Sequence, residues 1–164
     1  MKRFLLTLFL FVLFSSNFSP QKTDEWFPTE LNVQPFTANI LEPKAGFEYL
    51  FDISKVQINI GATRDIYHHY NKRTTISFGA DFFTYTRARA QSNFKFPVET
   101  IDYMFGINAG YKIKYCGKEI GLRFRFSHIS AHLVDGLYDE KRKSWMNSRE
   151  PFVFSKEFIE LFPY

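Results

Sequence analysis

The sequence predicts an all-β chain, an antiparallel up-and-down transmembrane β-barrel with about six visible strands. Three observations predict it. The chain begins like an exported protein, its body alternates apolar and polar residues over long stretches, and its aromatics are spread along that alternation. Of 164 residues, 21 are Phe, 9 Tyr and 2 Trp, yet only 45 % are hydrophobic. Apolar residues must therefore be interleaved with polar ones. That excludes a helical membrane bundle and a disordered chain.

The leader comes first. Met1-Lys2-Arg3 is basic, Phe4 to Phe14 is apolar except for Thr7, and Ser15 to Ser19 turns small and polar apart from Phe18. This is a signal-peptide layout over residues 1–20, and the apolar run is shorter than the roughly 20 residues of a spanning helix. An uncleaved anchor is the alternative. Loss of Lys2 and Arg3 lowers the cation excess from four to two, which is no nucleic-acid footprint. Residues 21–43, with Trp26, Pro28, Pro35 and Pro43, read as a Pro-rich, partly extended N-terminal extension. Residues 44–164 then form the partial barrel.

Within it, Phe47, Tyr49 and Phe51 alternate with Gly46 and Glu48. Val56, Ile58, Ile60, Ala62 and Ile66 alternate with Gln57, Asn59, Gly61, Thr63 and Asp65, with Arg64 the exception. Ile76, Phe78, Ala80 and Phe82 alternate with Ser77, Gly79 and Asp81. The clearest stretch is Ile101 to Tyr115. Its odd positions are Ile101, Tyr103, Phe105, Ile107, Ala109, Tyr111, Ile113 and Tyr115; its even positions include Asp102, Asn108, Lys112 and Lys114. Alternate side chains of a strand point to opposite faces, so one face is apolar and the other small or charged. Ile120, Leu122, Phe124 and Phe126 oppose Gly121, Arg123 and Arg125, and residues 151–164 supply a less regular sixth strand. The polar faces mix Gly, Asn, Ser, Asp, Lys and Arg. That suits a crowded, wet lumen better than a soluble exterior, and places the apolar face against lipid. A soluble sandwich or lipocalin-like barrel is the alternative.

Single-chain barrels of this kind start at about eight strands, and open edges in lipid are not viable. The chain is therefore expected to be an N-terminal fragment of a longer barrel or to assemble with other chains. Pro163 and Glu160 interrupt the last strand's apolar pattern. Short turns are expected near Asp52, Asn71 and Tyr115 to Glu119, and long loops at residues 87–97 and 133–149. Long loops belong outside, so residues 128–132 fall near the outer leaflet.

The stretch Arg123-x-Arg125-x-x-His128-x-Ser130-x-His132-Leu133-x-Asp135 resembles the signature of an uncharacterised family of bacterial exported proteins, a domain of unknown function. The resemblance extends in order and spacing to the Asp102-Tyr103 strand and to Phe154-Ser155-Lys156-Glu157. It implies an outer-membrane-type barrel, usually longer than this chain, and no established activity.

His128 and Ser130, about 7 Å apart along one strand face, suggest a nucleophile and base, with Glu157 or Glu160 orienting the His. An outward His-x-Ser pair in the outer leaflet is similar to the arrangement in lipid A 3-O-deacylases. The plainer reading puts His128, Ser130, His132 and Asp135 at a polar rim, bonded to headgroups, water or loop backbone. Arg123 and Arg125 are expected in a lumenal ion-pair network with Glu48, Asp65, Asp81 and Asp102; a charge-selective lining is the other possibility. His128 and His132 are about 13 Å apart along a strand and His68-His69 face opposite ways, so no metal site is expected. Cys116 reads as a passive turn residue. Lys141-Arg142-Lys143 reads as a solvated loop or a contact to lipopolysaccharide phosphate. No cofactor, nucleic acid or soluble partner is expected. The function expected is an outer-membrane barrel with a structural role or a narrow passage, or else an outer-leaflet lipid hydrolase.

Overall fold

The computed structural model describes residues 23–42, 45–146 and 152–164, with the side chain of Asp135 excepted. The leader, Pro43 and residues 147–151 lie outside the described residues.

The elements are β1 (Asp24–Trp26), β2 (Ala45–Leu50), β3 (Lys55–Tyr70), β4 (Thr74–Arg89), β5 (Val98–Tyr115), β6 (Lys118–Leu133), β7 (Tyr138–Asp139), β8 (Ser144–Trp145) and β9 (Val153–Pro163). β3, β4, β5, β6 and β9 form an antiparallel meander, and β1 and β2 both pair with the free edge of β3. The sheet is up-and-down and open: β9 ends it on one side, β1 and β2 on the other. β7 and β8 make a separate small hairpin, with the Tyr138 and Trp145 rings 5.2 Å apart. That hairpin and β1 were not legible as strands.

The four central strands run 16 to 18 residues, longer than the alternation alone marks out. Their turns explain why they pair so regularly. Asn71 to Arg73 close β3 onto β4. Cys116 and Gly117 both take positive φ, 49° and 75°, as the two-residue turn matching strand twist requires. Glycine meets that need without strain; Cys116 occupies it as an exposed turn residue. At the opposite end, Ser54 in the left-handed region joins β2 to β3. The connection 90–97 lies at that same end, where β6 also ends at Leu133 and β9 begins at Val153.

Two irregularities re-aim side chains. Asp65 pairs with Gly79 but Tyr67 with Phe78, so Ile66 is an extra residue on β3. This bulge reverses the phase: Ile66 and Tyr67 both lie on the apolar face, and His68 joins Asp65 on the polar one. A second shift lies between Arg87 and Ala88, opposite Thr100 and Val98. There Glu99 is buried and its Oε2 sits 2.5 Å from Lys55 Nζ.

The burial of the two faces is inverted relative to a water-soluble sheet. Asp65, Ser77, Asp81, Asn108, Arg123, Arg125 and Ser127, all on the polar face, are buried. Phe78, Phe82, Ile107, Phe124, Phe126, Ile159 and Leu161, on the apolar face, are exposed; Ile107 retains 62 % of its surface. The N-terminal segment covers the polar face. β1 follows β3 from Asp24 opposite His69 to Trp26 opposite Tyr67, and Phe27 N–H still donates to Ile66 O at 2.8 Å. Phe27 then turns with φ 52°. Residues 29–42 cross the polar face before β2 rejoins the same edge opposite residues 55–60. The segment expected as a Pro-rich, partly extended extension pairs with the first edge strand through β1 and then covers the polar face; residues 29–42 are called the plug below for that position alone.

Candidate functional site

The plug meets the sheet in a buried polar cluster with a small apolar centre. Asn32 N–H donates to Asp65 Oδ2 at 2.7 Å, and Asn32 Nδ2 lies 3.2 Å from Ser77 Oγ, 3.3 Å from Thr75 O and 3.4 Å from Gly110 O. A Cβ at Gly110 would stand 2.6 Å from Ser77 Oγ and 2.9 Å from a Val33 methyl. Glycine on the polar face is what lets the plug lie this close. Val33, Phe83 and Met104 are the buried apolar side chains on this side of the sheet.

Glu42 ends the plug between two arginines. Its Oε1 accepts from Arg123 Nη2, and from Arg125 Nη1 at 2.7 Å. Arg125, fully buried, also donates through Nε to Glu160 Oε2 at 2.6 Å. The Arg123 guanidinium is held between two rings, 4.8 Å from Phe36 of the plug and 4.8 Å from Phe162 of β9. Two buried guanidinium groups are tolerable only when charge and hydrogen bonds are met locally. Glu42, Glu160 and the aromatic faces answer the charge, while the buried Arg123 Nε has no hydrogen-bond partner among the described residues.

These partners correct the expected network. Arg123 and Arg125 lie on the polar face as read, but they pair with Glu42 and Glu160, not with Glu48, Asp65, Asp81 or Asp102. The reason is distance along and across the sheet. Glu48 lies on the exposed edge strand β2. Asp65 sits beyond the bulge, bound to Asn32 and 2.7 Å from His68 Nε2. Asp81 accepts from Thr63 at 2.6 Å. Asp102 lies near the loop end, against the His132 backbone. Glu160, read as an interruption of the last strand, faces inward and neutralises Arg125. Pro163 sits on the edge strand, where no ladder bond is lost. The signal that could have found Glu42 was the paired arginines themselves, which required a carboxylate that the strand patterns did not supply.

His128, Ser130 and His132 share the apolar face at the loop end of β6, as the strand phase predicts. Their pairing differs from the expected triad. His128 Nδ1 is 2.8 Å from Glu157 Oε1, its cross-strand neighbour on β9. Ser130 instead meets His132, Oγ to Nε2 at 3.2 Å. The structure therefore holds a His–Glu pair and a Ser–His pair side by side. The rings of Phe105 and Tyr103 lie under His128 and His132, at 4.9 and 5.7 Å.

His68 and His69 diverge. His68 bridges Asp65 and the Tyr70 hydroxyl on the polar face, while His69 Nδ1 is 2.8 Å from Asp24 Oδ1. The Tyr67 hydroxyl and His69 together hold the exposed Asp24 carboxyl below its ordinary range. Among the described residues no three His, Cys, Asp or Glu side chains are placed to hold a metal ion. Asp139 accepts from the backbone N–H of Lys141 and Arg142, so the basic loop is an ordered hairpin tip.

No protein-family model matches the chain, and no curated protein and no solved structure matches it either.

Proposed function

We propose that this chain is the plugged portion of an outer-membrane β-barrel, with a structural role and an occluded lumen. The observation that carries this reading is the inverted burial: charged side chains lie under the plug, while a continuous apolar face is exposed. Water would penalise that face, and hydrocarbon would not. The outward residues of β5 from Tyr103 to Tyr115 span about 40 Å along the strand. Tilted as barrel strands are, that approaches 30 Å, an apolar band with tyrosines at both ends. Edges β2 and β9 need partners in lipid, so further strands, of this polypeptide or another, complete the barrel. The plug favours occlusion over passage, because Glu42, Asn32 and Phe36 occupy the space a pore would use.

Cysteine labelling tests this. In a Cys116→Ser background, Ile107→Cys in cells should react with a membrane-soluble maleimide and resist a charged, water-soluble one. With the envelope opened so that the charged reagent reaches both sides, labelling of Ile107→Cys by that reagent as complete as that of Cys116 in the wild-type chain would overturn the membrane reading.

A second reading rests on the Ser130–His132 contact. A Ser hydroxyl beside an imidazole, facing outward near the outer leaflet, is the pairing a lipid ester hydrolase uses. Here His132 would be the base and His128 with Glu157 a neighbouring pair, a different assignment from His128, Ser130 and Glu157 as one triad.

A further inference from the structure

At the tight-turn end, a pocket of about 390 Å³ opens between β1, the β3–β4 turn and β5. Glu25, Tyr70, Lys72, Arg73, Lys112 and Lys114 line it. From this arrangement we infer an anion site for a phosphate group. The inference goes beyond the barrel reading; its free-phosphate arm stands without that reading, and its headgroup arm rests on it.

Charge is the first ground. Four cations, Lys72, Arg73, Lys112 and Lys114, converge from two elements. Lys112 and Lys114 share one carboxylate, Glu119 of β6, at 3.5 and 3.9 Å, loose contacts for an ion pair. Among the described residues, no carboxylate pairs with Lys72 or Arg73. Glu25 is the carboxylate in the wall, and its Oε2 accepts the Tyr70 hydroxyl at 2.8 Å. On the polar-face side, His68 is turned away to Asp65 and Tyr70.

Shape is the second ground. Directly above Thr75 and Lys112, the next polar-face positions are Ser77 and Gly110, and both are occupied by Asn32. The pocket is therefore blind. Its cations face a recess that ends at Asn32 rather than a continuous path along the polar face. Hydroxyl donors at Thr74 and Thr75 border the same space. Ammonium, guanidinium and hydroxyl donors around a concave site suit a tetrahedral oxyanion with several acceptor oxygens. A phosphate meets that description, either free or as the headgroup of a phospholipid in the adjoining leaflet.

The test uses the full chain in zwitterionic detergent, with Lys72→Gln/Arg73→Gln as the variant. Both changes lie in the turn, away from the buried cluster, and circular dichroism checks the fold. Lys141→Gln/Arg142→Gln, at the opposite end, is the control. Calorimetric titration with inorganic phosphate should weaken about tenfold or more in the turn variant and stay unchanged in the control. Co-flotation with phosphatidylcholine vesicles, with and without phosphatidylglycerol, separates the sources. A preference for the anionic vesicles lost in the turn variant assigns a headgroup; phosphate binding without that preference assigns a free phosphate. If neither probe distinguishes the turn variant from the wild-type chain, the site is refuted. Maleimide labelling at Ile107→Cys reads the membrane placement separately, so either proposal can fail alone.

Discussion

The two faces of this sheet are made of the same strands and obey opposite rules. On the polar face the buried charges at the centre of the cluster find partners within the chain: Arg123 and Arg125 in Glu42 and Glu160, Asp65 in the Asn32 N–H and His68. On the apolar face, Phe82, Phe105, Ile107 and Ile159 have no covering element among the described residues. The difference teaches where the protein's own interactions end. The inside is a closed polar system whose stability is intramolecular; the outside is a surface whose partner is the medium. Substitutions on the two faces should therefore fail in different ways.

The largest effect should come from Glu42. Glu42→Ala leaves two buried guanidinium groups short of a carboxylate, and breaking a buried pair from one side costs about 3–5 kcal/mol. Urea unfolding in detergent should show that loss. A loss under about 1 kcal/mol would mean the plug is not what neutralises this face, and the comparison between faces would fall. Ile107→Lys probes the other side. If lipid lies there, a cation near mid-depth costs about 2–4 kcal/mol of insertion, and the protein should leave the membrane fraction. In a water-facing sheet the same change would be neutral or improve solubility.

A tighter comparison uses neighbouring residues. Gly110 faces the plug and Ala109 faces outward. Gly110→Leu must displace Ser77, Val33 or Asn32 and should cost about 1–3 kcal/mol by overpacking. Ala109→Leu extends into the apolar recess that Ala109 lines with Phe78 and Phe124 on the outer face and should stay within about 0.5 kcal/mol. Equal effects would show that the plug is not seated as described.

How much of this could be read from residues alone follows from the same asymmetry. Strand periodicity is local, so Ile101 to Tyr115 declared its faces, and the Cys116-Gly117 turn was visible in its chemistry. The phase of His128, Ser130 and His132 came from Phe126 by simple alternation. What stayed hidden was long-range or irregular. Glu42 lies more than eighty positions from Arg125, in a segment without a repeating pattern. The bulge at Ile66, which turns His68 inward, keeps Ile66 on the apolar face where simple alternation already puts it, so that residue gives no warning. The pairing of Ser130 with His132 rather than His128 is a choice between two equally spaced neighbours. It is decided across the sheet, where Glu157 on β9 engages His128.

That choice frames the smallest expected effect. Ser130→Ala removes one hydroxyl at the loop end and one 3.2 Å contact to His132. Neither group is buried, so folding should shift by no more than about 0.5 kcal/mol. If the protein is a structural, plugged barrel, mass spectrometry of lipid A from cells with and without it should show the same acylation, and Ser130→Ala should change nothing. If Ser130 is a nucleophile, the wild-type protein should remove an acyl chain that both Ser130→Ala and His132→Ala leave in place. His128→Ala then becomes the informative variant. A triad built on His128 and Glu157 predicts the same loss, whereas the observed pairing predicts that His128 is dispensable, because its imidazole already faces Glu157 rather than the serine.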